Sequence, residues 1–262
     1  MKAAESSVAS VPWRTVVVDE APLMREAIRH CLEGDGRFVV VGEAAAAARA
    51  LELVSVHKPA LVVTELALPG RSGLELIRDV RAQFADVRVL VFTACDERLY
   101  AARALRAGAR GFLHKRADGS ALAAAARQVM SGRIAVETDL ALHLVEELVG
   151  GNPRVMGSLQ TLTDRELEVL RLLGRARTVR EIATALHLSP KTVETHKVNL
   201  MHKLGIRSSA ELLRFALQWA EDELLGRTVA DSLAGTSPGT ESPEPVADSS
   251  TAGGRPVRKR SG

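Results

Sequence analysis

Aromatic residues are scarce: five Phe, two Trp and one Tyr amount to 3% of 262 residues. That is too few for a stacking platform on single-stranded nucleic acid, or for an enclosed, aromatic-rich ligand cavity. Cysteine is nearly absent as well. Cys31 and Cys95 make no disulfide framework, which fits a reducing cytoplasm. No apolar stretch approaches the ~20 residues needed to span a bilayer. The opening MKAAESSVASVPWR has no apolar signal core, so secretion is not expected. Nor is there a strong charge excess. The net charge is +3, so a polyanionic partner would have to be met by a local patch.

What the sequence does have, in its first half, is alternation. Apolar runs TVVV (15–18), FVVV (38–41), LVV (61–63), VRVLVF (87–92) and GFLH (111–114) alternate with segments such as PLMREAIRHCLE and GLELIRDVRAQF, apolar at helical spacing. Short apolar runs bounded by turn signals are buried parallel strands. Five such units predict an α/β, flavodoxin-like, doubly wound five-stranded parallel sheet. After Ser131-Gly132 the strand signal stops. ETDLALHLVEELV reads as a connecting helix, GGNPRVMGS as a flexible joint, and 162–220 as helices only. The expected organisation is an α/β domain over 13–132, a linker with a helix over 133–157, an all-α four-helix domain over 158–222 and a disordered tail over 227–262. The tail is rich in Pro, Ser, Thr and Gly and cannot bury enough apolar surface to fold. Its basic ending RPVRKRSG reads as solubilising before it reads as a DNA contact.

In a doubly wound sheet the carboxyl ends of the strands converge on one crevice. Asp19-Glu20 follows the first strand, Glu65 the third, Thr93 ends the fourth and Lys115 follows the fifth. Three carboxylates would repel one another without a cation, and Mg²⁺ suits oxygen ligands of this kind. Asp19, Glu20 and Glu65 are its candidate ligands. Thr93 offers a hydroxyl donor and Lys115 a point charge, a pair suited to a phosphoryl group. With Pro22, the LPGRSG turn and GARGFLHK, residues 13–132 resemble a response-regulator receiver domain. The resemblance implies that the paired acids bind Mg²⁺, that an aspartate at the end of the third strand accepts phosphate, and that Thr93 and Lys115 contact it. It also makes Phe112 the aromatic that reports the state. Here Glu65 occupies the acceptor position. One extra methylene carries its carboxylate outward by roughly 1.5 Å, partway to the seat of a phosphoryl group, with about −1 charge against −1.5 to −2 for the phosphate. Three readings stay open: a locked, partly active receiver independent of a kinase, a degenerate domain kept for partner contacts, and residual phosphorylation.

In the second half, Thr163 with Glu166 and Thr178 with Glu181 fit capping boxes. Ser189-Pro190 opens a third helix and Gly205 ends it, as a cap and a left-handed stop do. Two short helices joined by a tight turn make a helix-turn-helix. On a wheel of 100° per residue, Val193, Leu200 and Leu204 face inward. Lys191, Glu194, Thr195, Val198 and Asn199 face outward, with Thr192 near the helix start. Such a mixture can read major-groove base edges. Arg177, Arg180, Lys197 and Lys203, with Arg175, suit phosphates. LTDREL-EVL and KTVETH…N-M-KLG closely resemble the LuxR-type DNA-binding domain of NarL/FixJ response regulators. That implies major-groove docking by the 191–204 helix, a homodimer formed through the last helix, and two half-sites of double-stranded promoter DNA. Ala176 stands where the family usually has a turn glycine. The expected protein is a cytoplasmic, sequence-specific transcription regulator and no enzyme: there is no Gly-rich phosphate loop and no catalytic His–Ser pair. A sensor kinase partner, small-ligand gating and gating by a partner protein remain as alternatives.

Overall fold

A computed structural model describes residues 11–149 and 157–224. Five strands form one parallel sheet: β1 (Trp13–Val18), β2 (Phe38–Ala44), β3 (Leu61–Thr64), β4 (Arg88–Thr93) and β5 (Gly111–His114). Their order is β2-β1-β3-β4-β5, the doubly wound flavodoxin-like arrangement. Val18 pairs with Thr64, Thr64 with Val91, and Thr93 with His114, so neighbouring strands finish level with one another. β1 and β3 lie in the middle. Val16, Val17, Val18 and all of Leu61–Thr64 are buried, which is why these strands read as unbroken apolar runs rather than alternating ones.

Five helices cover the two faces: α1 (Pro22–Gly34), α2 (Ala47–His57), α3 (Gly73–Gln83), α4 (Glu97–Ala107) and α5 (Gly119–Met130). Each turns an apolar stripe to the sheet. Leu74, Ile77 and Val80 of α3 bury with Val62 and Val91, whereas Ile28 and Leu32 of α1 bury with Val17 and Val63 on the opposite face. Helix α3 starts at a capping box in which Ser72 accepts from the Glu75 N–H and Glu75 accepts from the Ser72 N–H, as the pattern of a short polar residue followed three places later by Glu anticipates.

Helix α6 (Thr138–Val149) follows as the connecting helix. The helical domain consists of α7 (Gly157–Gln160), α8 (Asp164–Gly174), α9 (Val179–Ala185), α10 (Pro190–Leu204) and α11 (Ser209–Leu224). Both expected capping boxes are formed, at Thr163 and Thr178. Ser189 caps α10, and Gly205 ends it in the left-handed region at φ 69°. The core gathers Leu167, Leu170, Ile182, Val193, Leu200 and Leu212. Ala176, in the loop after α8, has φ 56°, a conformation that costs an L-residue roughly 1–2 kcal/mol and glycine almost nothing. The expected disordered tail, 227–262, and part of the expected linker lie outside the described residues.

Candidate functional site

The crevice at the carboxyl ends of β1, β3, β4 and β5 is built around Glu65. Its side chain is about 5% exposed. Oε1 accepts from the backbone N–H groups of Leu66 at 2.6 Å and Ala67 at 3.0 Å, and from the Thr93 hydroxyl. Oε2 faces the Lys115 ammonium at 2.7 Å. The Thr93 oxygen in turn accepts from the Cys95 N–H at 3.1 Å, which leaves its proton to point at Glu65. Cys95 itself is buried. Gly73 at the start of α3 closes the site from below: a Cβ there would lie 2.3 Å from the Glu65 carbonyl oxygen and 2.6 Å from the Leu66 Cα. No side chain fits in that gap.

Asp19 is also buried. Its Oδ1 accepts from the Ala21 N–H at 2.9 Å and its Oδ2 from Lys115. Lys115 therefore bridges two carboxylates. Burial alone would raise the Glu65 pKa, but the Lys115 charge, the Ala67 N–H and the Thr93 hydroxyl outweigh it and hold the carboxyl below its usual range. For Lys115, burial works to lower the pKa. Glu65 and Asp19 overcome it, and the ammonium is held above its usual value.

Not every expected member comes together. Glu20 is exposed and its carboxylate stays out of the cluster, with only its backbone carbonyl accepting from Arg25 at 3.2 Å. Among the described residues no three His, Cys, Asp or Glu side chains converge as a metal cage. Of the three acids expected to share a Mg²⁺, Asp19 and Glu65 meet at Lys115, whereas Glu20 stands apart. A lysine ammonium occupies the position between the two inner acids. Phe112 is 1% exposed and packed in the core with Val91 of β4 and Leu99 and Ala101 of α4.

The second candidate site is the outer face of α10. Lys191, Glu194, Thr195, Val198 and Asn199 are exposed, Val198 to 57%, while Val193 and Leu200 are buried. Thr192 is half-buried and its hydroxyl lies 2.8 Å from that of Ser189. Lys197 reaches back to Glu194 at 3.1 Å. Arg177 pairs with Glu181 at 3.3 Å, and Arg180 stands exposed beside them. Lys203 departs from its expected role. Its ammonium turns inward to Glu166 at 2.7 Å and donates to the Thr161 carbonyl at 3.2 Å. Glu166 is the buried acid of the α8 capping box and takes its counter-charge from this lysine, so Lys203 is a structural cation here.

Contacts between the domains have no counterpart in the strand-end reading. Asp164, at the start of α8, pairs with Arg78 of α3 and, at 3.0 Å, with Arg103 of α4. Arg103 also donates to the carbonyls of Gln160 at 3.0 Å and Leu159 at 3.3 Å. The turn between α9 and α10 approaches the loop after β3: a Cβ on Gly70, whose φ is 77°, would lie 3.1 Å from His187 Nε2. The one available signal was spacing. Arg78 and Arg81 on α3, and Arg103 and Arg106 on α4, are each three apart and share a helix face.

Comparison with known proteins agrees with both halves. Residues 15–127 match the response regulator receiver domain, and residues 160–216 match the bacterial regulatory proteins of the luxR family. A Pseudomonas aeruginosa protein is 38% identical over 203 residues, 78% of this chain and 96% of its own length. The oxygen regulatory protein NreC of Staphylococcus aureus is 32% identical over 210 residues, again 78% of this chain and 97% of its own. Among solved structures, RcsB from Salmonella enterica serovar Typhimurium, bound to promoter P1flhDC in the presence of the phosphomimetic BeF3-, covers 78% of this chain and 98% of its own at 26% identity and a TM-score of 0.60. The chain thus belongs to the response regulators that join a receiver domain to a LuxR-family DNA-binding domain, transcription regulators rather than enzymes.

Proposed function

We propose that this regulator binds paired promoter half-sites as a dimer, and that its receiver is held in a partly activated arrangement by Glu65 without phosphoryl transfer. The observation that carries the reading is the set of partners around one carboxylate. Glu65 receives two backbone N–H groups, the Thr93 hydroxyl and the Lys115 ammonium, the groups that in a receiver would hold a phosphoryl group. With a charge of about −1 against −1.5 to −2, the mimic is incomplete, and Lys115 stays shared with Asp19. On this reading Lys115 supplies the positive charge that a Mg²⁺ was expected to bring, and no kinase is needed.

The exposed α10 face supports the same conclusion. The receiver touches the helical domain through Asp164 and His187, yet Lys191, Glu194, Val198 and Asn199 remain open to solvent. Those side chains can reach a major groove without the domains separating first. The loop carrying Leu66, Ala67 and Gly70 joins Glu65 to the turn that holds α10. For RcsB the partner is a promoter, met in the presence of a phosphomimetic; here Glu65 takes the place of that added group. Exposed Leu213 and Leu217 on α11 supply an apolar strip for the dimer, and two bound copies would sit about one helical turn apart. The work of such a protein lies in the cytoplasm, and among the described residues no helix is long and apolar enough to cross a membrane.

Footprinting of the wild type, Glu65→Ala and Glu65→Asp on one promoter, each with and without acetyl phosphate and Mg²⁺, tests the reading. Glu65→Ala should lose affinity by about fivefold or more, the lower end of ordinary coupling energies. The wild type should ignore the phosphodonor, and Glu65→Asp should respond to it. A Glu65→Ala protein that binds like wild type would sink the proposal, and so would a wild type that responds.

A further inference from the structure

Between α3, α4 and the start of α8 lies a groove of about 540 Å³ lined by Arg78, Arg81, Arg103, Arg106 and Asp164. Its polar wall is lopsided: four guanidiniums face one carboxylate. Asp164 answers Arg78 and Arg103. Arg81 and Arg106 hold no ion pair among the described residues. The fold makes room for this arrangement. Gly108, the cap residue of α4 at φ 122°, would place a Cβ 2.5 Å from Arg81 Cδ, so its lack of a side chain lets the arginine stem pass along the groove. Like charges gathered in one concavity repel unless an anion joins them, and a guanidinium fork is the geometry that grips phosphate oxygens in pairs.

We infer that this groove is a binding site for a small phosphate-bearing polyanion, and that the ligand competes with Asp164 for Arg78 and Arg103. The volume falls within the roughly 300–1,000 Å³ of small-molecule sites. The groove is bounded on one side by Asp164 at the start of α8 and is of a size for a short polyphosphate. An anion seated there takes over the two arginines that hold Asp164 and adds the two that stand free. The contact between receiver and helical domain is thereby exchanged for a contact with the ligand. Such a protein would carry a chemical input of its own, separate from Glu65 and from any phosphodonor.

Sodium tripolyphosphate is the probe, titrated calorimetrically into the full chain with ionic strength held constant. The wild type should bind one equivalent. Arg81→Ala/Arg106→Ala, which removes two exposed side chains without breaking an ion pair, should bind at least about tenfold more weakly, the loss of one to two charge-assisted contacts. Asp164→Asn, which removes the competing carboxylate, should bind more tightly. The basic face of α9 and α10 is touched by neither change. Failure of the wild type to bind, or equal affinity in wild type and double variant, overturns the inference. So does a double variant that loses promoter affinity while its tripolyphosphate affinity is unchanged, since the groove would then belong to DNA. None of these outcomes depends on whether Glu65 mimics a phosphate.

Discussion

Glu65 is a buried carboxylate whose surroundings supply a full set of bonds. Backbone N–H groups of Leu66 and Ala67, the Thr93 hydroxyl and Lys115 all meet the carboxylate. Hydrogen bonds to a charged group contribute roughly 1.5–3 kcal/mol each when intact, less when a neighbour can compensate. Glu65→Gln keeps the shape and removes the charge, leaving Lys115 with Asp19 alone; we expect it to cost about 1–3 kcal/mol of stability at neutral pH. The pH dependence has a definite sign. The folded pKa of Glu65 is depressed, with burial opposing and Lys115, Ala67 and Thr93 prevailing. Its contribution is therefore complete above the ordinary glutamate value of about 4.3 and is lost as pH falls from there through the depressed folded value. Lys115, raised by the same pair against its own burial, contributes fully below about 10.4 and loses that contribution as pH rises through its folded value. Urea midpoints for wild type and Glu65→Gln should differ at pH 7 and converge in acid below pH 4. A gap that persists unchanged into acid would mean that the charge contributes nothing and only the shape does.

At the scale of elements, most of the fold was legible and its inward turns were not. Apolar runs marked the five strands, and the capping patterns at Thr163, Thr178 and Ser189 marked helix starts, because both depend on chemistry a few residues apart. Strand-end position likewise brought Asp19, Glu65, Thr93 and Lys115 together before any coordinates. Glu20 lies exposed outside the cluster that Asp19 joins, a difference set by the loop after β1 and not by strand-end position. Lys203 likewise meets a partner that its own helix does not reveal, Glu166. A wheel puts it on the flank of α10, and whether it meets DNA or Glu166 depends on α8, 37 residues away. The two basic residues should therefore behave differently. Arg180→Ala is expected to weaken binding uniformly across promoter sequences and to lower the slope of log K against log salt by about 1. Lys203→Met should leave that slope alone and destabilise the helical domain by about 1–2 kcal/mol, since Glu166 loses its counter-charge and keeps the Thr163 N–H. A salt titration by fluorescence anisotropy, beside thermal unfolding of each variant, distinguishes them. If Lys203→Met flattens the slope as Arg180→Ala does, the lysine meets phosphate after all.

The whole molecule depends on contacts that join residues 61 and 86 positions apart, Arg103 and Arg78 with Asp164, and no periodicity within one element carries such information. These two arginines are not equal. Arg78 is half exposed, and an exposed pair contributes about 0.2–1 kcal/mol. Arg103 is 12% exposed and donates to two carbonyls as well as to Asp164, so it is the firmer tie between the domains. Because the outer face of α10 is open while that tie is intact, the contact sets the spacing and orientation of the two halves rather than covering the DNA-reading surface. Arg103→Ala should accordingly enlarge the radius of gyration measured by small-angle scattering, yet change affinity for a single half-site duplex by less than about threefold, the range of a weak ion pair. On the proposed dimeric reading its effect should be larger on a full site, where two copies would present their helices at a fixed separation. A tenfold gain on the single half-site would mean instead that the docked receiver hinders α10, and the arrangement described here would have to be a resting state.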